Sequence, residues 1–231
     1  MPIFRLGQDH HFPPAELAEP NGLLAVGGDL QPARVLTAYR QGIFPWYSDD
    51  QPILWWFLSP RLVLYPAELQ IARRLARTLR QAPFHLTFDQ AFADVIAACA
   101  SSRRSTGDGT WITTEMATAY TALHRLGYAH SVECWQNDQL VGGLYGIRLD
   151  RVFFGESMFT KVTDASKIAF VALINQLVEL GVELIDCQMT TPHLQRFGAR
   201  EISGRTFQEH LRQLIQTTEP DGKWIYDKSS D

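Results

Sequence analysis

Apolar residues along this chain switch between a period of two and a period of three to four, and the switches outline its elements. LVLYP (62–66), FHLTF (84–88), HSVECWQ (130–136), QLVGGLYGIRL (139–149) and VFFGESMF (152–159) have the β-branched and aromatic density of strands. Turn pairs at Asn137-Asp138 and Asp150-Arg151 join the last three into an antiparallel meander. Helical spacing predicts helices over 71–81, stopped ahead of Pro83, and over 89–100, with Asp89 placed to cap it. Another runs over 113–126, with Thr113 as cap, Glu115 in its first turn and Gly127 at its end. A long amphipathic helix opens at Asp164, reaches Leu180 and stops at Gly181. VELIDCQ (182–188) reads as a buried strand. A short helix from Pro192, a strand over 199–201 and a helix near 206–216 follow.

Residues 1–60 have a different texture, dense in proline and aromatic residues. One helix stands out there: Asp29 or Gln31 caps it, Pro32 suits its first turn and Gly42 ends it. The reading is of two unequal α/β units, a small N-terminal domain over 1–60 and a larger domain over 61–231. In the larger one, helices precede three meander strands, then helix, strand, helix and strand. This order resembles the acetyltransferase fold of the N-acetyltransferase (GNAT) superfamily, which carries acyl transfer to amines. The fold class expected is therefore α/β (α+β) with a GNAT-type C-terminal domain. The glycine-rich turn that cradles coenzyme A pyrophosphate in that superfamily is missing, because KVTDASK (161–167) has no glycine. Acyl transfer is expected, without the usual donor.

Composition narrows the setting. The net charge of −4 disfavours a protein that coats nucleic acid, though it leaves room for a local basic patch. Three cysteines, far apart, show neither disulfide nor metal spacing, which suits a reducing, cytoplasmic compartment. The N-terminus has no signal-like apolar run and no stretch approaches a membrane span. The seven histidines are scattered or, at His10-His11, adjacent without partners, so no metal is expected.

Candidate chemistry lies in two strings at strand ends. GESMF (155–159) and DCQ (186–188) bring Glu156, Asp186 and Gln188 beside apolar strand residues. A carboxylate there needs a cation, because an unpaired buried charge is costly. Such a site would seat a cation and a neutral apolar group side by side. Leu144, Phe153, Met158, Phe170, Leu173 and Ile185 read as ordinary core or as the wall of an apolar cup. Tyr39, Trp46 and Trp111 read as core aromatics or as a stacking platform for a base. Arg73, Arg77 and Arg80, flanked by Arg74, form a basic helix face that is solvated or meets phosphates. Arg103 and Arg104 sit in SSRRSTGDG (101–109), which reads as a loop closing over the site. His193 is read as structural.

PNGLLAVGGDL (20–30), YRQGIFPWY (39–47), ILWW (53–56), GTWIT (109–113), GESMF, DCQ and HLxxFGA (193–199) together resemble the leucyl/phenylalanyl-tRNA–protein transferase family, in order and with matching spacing. One departure stands at 55–61. The family pattern Trp-Trp-Ser-Pro-x-Pro-Arg reads WWFLSPR here, with Phe57 and Leu58 replacing Ser-Pro. The resemblance implies a cytoplasmic, monomeric aminoacyltransferase without cofactor. It moves Leu or Phe, and Met less well, from aminoacyl-tRNA to proteins with an N-terminal Arg or Lys, marking them for degradation. It implies that Gln188 is catalytic with Asp186 and Glu156 beside it, and that the apolar set holds the donor side chain. It also implies that the aromatics take the terminal adenosine and that the arginine face takes tRNA phosphates. Two rivals stay open at this point: a coenzyme A-dependent N-acyltransferase, and a non-catalytic adaptor for N-terminal arginine.

Overall fold

A computed structural model describes residues 3–105, 110–217, 219–224 and 227–228. The chain begins with a four-stranded sheet. β1 (Phe4–Leu6) runs parallel to β2 (Leu23–Gly27), and α1 (Pro32–Arg40), β3 (Phe44–Pro45) and β4 (Leu54–Trp56) follow, in the sheet order β1-β2-β4-β3. Pro32 occupies the first turn of α1, where its missing N–H costs nothing. Gly42 follows with φ +77°, and a Cβ there would lie 2.7 Å from the Phe207 ring. Glycine serves both the turn and the close approach.

The second sheet is built from β5 (Arg61–Leu64), α2 (Arg73–Gln81), β6 (His85–Phe88), α3 (Phe92–Ser105), α4 (Thr114–Arg125), β7 (Ala129–Gln136), β8 (Gln139–Leu149) and β9 (Val152–Thr160). After these come α5 (Ala165–Glu179), β10 (Leu184–Gln188), α6 (Pro192–Gln195), β11 (Arg200–Ile202), α7 (Gly204–Leu214) and β12 (Asp227–Lys228). Its order is β11-β5-β10-β9-β8-β7-β6-β12. Every pairing is antiparallel except β9 with β10, which α5 connects as a crossover. The result is a mixed α/β chain. One apolar cluster packs α3, α4, α7 and the small sheet on one face of the large sheet; a second lies beneath α5 and α2 on the other.

The meander matches its sequence reading closely, and Thr113 caps α4 by accepting from the Met116 N–H. Two expectations are corrected. Asp89 does not cap α3, which begins at Phe92. It sits at φ +56° with its carboxylate turned inward, accepting the backbone N–H groups of Ser131 and Trp224 and contacting His130 Nδ1. Residues 101–105 continue α3 instead of opening a loop; 106–109 and the side chains of Arg103 and Arg104 lie outside the described residues. A C-terminal tail, unread in the sequence, folds back over the sheet: Asp221 pairs with Arg148 and donates its backbone N–H to the Gly127 carbonyl. No helix among the described residues is long and apolar enough to cross a membrane.

Gly146 faces β9 so closely that a Cβ would lie 2.3 Å from the Phe154 carbonyl oxygen and 2.5 Å from the Phe153 ring. Gly146→Ala is expected to destabilise the fold by about 1–3 kcal/mol through overpacking. The check is a lowered urea midpoint at unchanged slope.

Candidate active site

The site forms where β9 and β10 part. Their parallel pairing ends at Phe154–Asp186. Just beyond, each strand carries an irregularity against its outer neighbour, between Gly155 and Ser157 on β9 and between Asp186 and Gln188 on β10. A bulge re-aims the side chains beside it. The two bulges turn Glu156 and Gln188 toward each other across the gap.

Asp186 is fully buried and is the acceptor of a two-pronged ion pair. Arg61 Nε donates to Oδ1 at 2.7 Å and Nη2 to Oδ2 at 2.6 Å, with both side chains sealed from water. The guanidinium lies between Phe44 and Phe207, 4.8 Å from each ring centroid, a favourable seat for a weakly hydrated cation. Asp186 Oδ1 also accepts the backbone N–H of Gln188 at 2.9 Å. That bond holds Gln188 at φ +58°, a left-handed conformation that costs a non-glycine residue about 1–3 kcal/mol. Asp186 therefore has its cation within the chain, and the sequence expectation that an incoming group supplies it does not apply to this carboxylate.

Glu156 is 9% exposed and lies in a cradle of hydroxyls. The Tyr39 hydroxyl donates to Oε1 at 2.6 Å, the Tyr120 hydroxyl to Oε2 at 3.0 Å, and the two hydroxyl oxygens are 2.5 Å apart. The two hydroxyls and the carboxyl form one closely spaced polar cluster. Burial pushes Glu156 up to about 7, helped by the Asp186 charge and opposed by the tyrosine hydrogen bonds and Arg61. Burial and the neighbouring carboxylate push both tyrosines well above their ordinary value.

Gln188 Nε2 donates to Glu156 Oε1 at 3.3 Å. The amide nitrogen faces the carboxyl, which leaves the amide oxygen as an acceptor on the open side. Three hollows of different chemistry meet there. The first, of about 270 Å³, is lined by Leu144, Phe153, Met158, Phe170, Leu173 and Ile185, all six residues of the sequence-derived apolar set, with Gln188 at its mouth. The second is a narrow cleft between Trp46 and Trp111 that reaches Glu156 and Gln188. The third is a polar groove of about 760 Å³ between the small sheet and α7, lined by Glu16, Glu19, Arg205 and Glu209 and ending at Gln188. Leu58, one of the two departures from the family pattern, lines this groove.

Tyr39 belongs elsewhere than its sequence reading as a stacking platform. It is fully buried and edge-on to Phe154. Trp46 is 37% exposed. Arg73, Arg74, Arg77 and Arg80 are all exposed on α2, while Leu75 turns inward. Arg74 also lines a hollow with Lys167, Arg196 and His193, and His193 forms part of the apolar cavity wall as well. Burial, Lys167 and Arg196 hold His193 below its ordinary value. Among the described residues no group of three His, Cys, Asp or Glu side chains is arranged to hold a metal.

Sequence reasoning missed Arg61 as the partner of Asp186 and Tyr120 as a donor to Glu156. A signal existed for Tyr120. It sits on the inward face of an amphipathic helix, where a hydroxyl needs a partner.

A family model described as leucyl/phenylalanyl-tRNA protein transferase matches residues 63–212, and one for the N-terminal domain of that family matches 28–57. The chain is 61% identical over 215 residues to the leucyl/phenylalanyl-tRNA–protein transferase of Syntrophobacter fumaroxidans, covering 93% of this chain and 92% of that one. It is 54% identical over 224 residues to that of Desulfotalea psychrophila, covering 97% and 99%. Against that of Nitrosospira multiformis it is 53% identical over 224 residues, covering 96% of each.

Two predictions follow from the buried charges. Asp186→Ala strands Arg61 and should cost about 3–5 kcal/mol of stability. The double variant Arg61→Met/Asp186→Leu should recover most of it in denaturant melts while leaving Gln188 without its backbone acceptor. For Glu156, the folded-state pKa lies above the unfolded value. Its contribution is therefore greatest below pH 4.5 and is lost as pH rises through about 7. The melting temperature of Glu156→Gln relative to wild type should climb between pH 5 and pH 8, and a flat difference would contradict the cradle.

Proposed function

From the premise that this enzyme belongs to the leucyl/phenylalanyl-tRNA–protein transferase family, we propose that it transfers leucine or phenylalanine, and methionine less well, from aminoacyl-tRNA to the α-amine of proteins beginning with Arg or Lys. The observation that carries this reading is the meeting of three hollows at Gln188. Aminolysis of an aminoacyl ester brings three groups to one carbon. An apolar side chain suits the 270 Å³ cavity. The terminal adenosine suits the tryptophan cleft, since any base stacks on an aromatic face. The acceptor polypeptide suits the polar groove.

In this reaction the acceptor α-amine attacks the ester carbonyl. A C–N bond forms, the C–O bond to ribose breaks, the amine gives up a proton and the ribose oxygen takes one. The Gln188 amide oxygen accepts from the amine and holds it in line. Glutamine is too weak a base to do more, and an activated ester needs little more. Positioning alone supplies several kcal/mol, up to about 7–11 in the best cases. Glu156 holds the amide the right way round and offers the acceptor's cationic side chain a carboxyl. Asp186 acts at one remove, through the Gln188 backbone. The exposed arginines of α2, and the hollow at Arg74, Lys167 and Arg196, suit acceptor-stem phosphates, which carry no sequence readout.

We read the larger unit as acetyltransferase-like, on its element order and on the parting of its two parallel strands. The setting read is a cytoplasmic monomer, and the product an N-terminus that marks the acceptor for degradation.

Gln188→Ala should lower kcat about a hundredfold or more, with the KM for donor nearly unchanged. Glu156→Gln should reduce the preference for Arg- and Lys-starting over Ala-starting peptides by about tenfold or more, the worth of a hydrogen bond to a charged group. The assay is transfer from Phe-tRNA and Leu-tRNA to the three peptides. No transfer by the wild type, or full preference in the Glu156 variant, would overturn the respective assignment.

A further inference from the structure

One wall of the apolar cavity is held from behind. Phe153 lines the cavity and is fully buried. The outer edge of its ring comes close to Gly146 of β8, where a Cβ would be 2.5 Å from Cζ and 2.6 Å from Cε1. The missing side chain makes room for that edge of the ring. Beside the ring stands Trp224. Its ring centroid is 6.2 Å from that of Phe153, with the planes inclined by 33°.

Trp224 is itself firmly seated. It lies parallel on the His130 imidazole, 3.9 Å away and tilted by 5°, and stands 6.3 Å from Phe88. It is 6% exposed. Its backbone N–H donates to Asp89 Oδ2 at 2.7 Å, and the Arg148–Asp221 pair pins the tail three residues earlier. The residue lies beyond the segment 63–212 that the family model matches.

We propose that Trp224 is a positioning residue that sets the depth of the donor cavity by fixing the ring of Phe153, so that the C-terminal tail takes part in selecting the size of the donor side chain. This rests on the reading of the cavity as the seat of that side chain. The physical reason is close packing. A cavity wall keeps its place only while the atoms behind it are in contact, and a void there is partly filled by the wall's retreat. With the indole gone, the Phe153 ring slides across Gly146 and the cavity lengthens. Leucine then loses contacts, while a side chain larger than phenylalanine gains room. A tail that merely holds the fold together would weaken all donors alike.

The experiment uses the full chain and amide-linked aminoadenosine analogues of the puromycin type, bearing leucyl, phenylalanyl and 2-naphthylalanyl groups. Binding is measured by calorimetry, and kcat/KM is measured for transfer from the corresponding aminoacyl-tRNAs. In Trp224→Ala the naphthylalanyl-to-leucyl ratio should rise about tenfold or more, the usual sensitivity of an apolar pocket to one or two methylenes. Trp224→Phe, which keeps a ring on His130 but reaches less far, should lie between that variant and the wild type. If Trp224→Ala does not fold, Trp224→Leu and Trp224→Phe give the same comparison. An unchanged ratio, or an equal loss for all three groups, overturns the proposal while the donor-site reading stands. If the wild type binds none of the analogues, the donor-site reading falls first and the role of Trp224 with it.

Discussion

The buried pair of Arg61 and Asp186 is the constraint on which the site depends. Two ions removed from water are costly to hide, and only good geometry and further hydrogen bonds offset that cost. Here the guanidinium meets the carboxylate with two donors, and aromatic rings cover its faces. Those rings come from β3 in the small sheet and from α7, so one ion pair ties three parts of the chain together. The same carboxylate then fixes the Gln188 backbone in a conformation it would not adopt alone. From there the order passes outward: Gln188 to Glu156, and Glu156 to a tyrosine on α1 and another on α4. A chain of this kind is rigid because each residue in it is held by the next.

The second constraint is topological. Paired strands leave no room between them, so a cavity inside a sheet requires pairing to stop. It stops at Phe154–Asp186, and the bulges that follow let both strands keep their other neighbours. Gly155 stands at the parting, where a Cβ would come within 3.5 Å of the Asp186 carbonyl oxygen. The active region thus lies where two neighbouring strands of the large sheet give up their ladder.

Much of this was legible in the sequence, for identifiable reasons. The meander, the long helix and the Thr113 cap followed from periodicity and turn chemistry, and those signals are local. The six cavity residues were found as a set because strand alternation and helical spacing put them on one face, and because the motif strings pointed to the same place. What stayed hidden is non-local. Nothing within reach of Arg61 announces a partner 125 positions away. Tyr39 looked like a platform because an aromatic residue beside tryptophans often is one, and only the fold turns its hydroxyl to Glu156. Bulges leave almost no mark in composition, since one extra residue in a strand alters the period by a single step. The tail was missed because Trp224 lies in a short apolar run, Trp224-Ile225-Tyr226, flanked by polar residues and too brief to show a period.

The walls of the cavity are mainly apolar. Water in such a space makes few hydrogen bonds, so its release gains little entropy. Ligands that fill preformed, poorly hydrated apolar pockets commonly bind with favourable enthalpy at 25 °C, and with the negative heat-capacity change that accompanies apolar burial. On the proposed reading of this cavity as the donor seat, affinity for the side chain weakens on warming, as heat opposes an exothermic step.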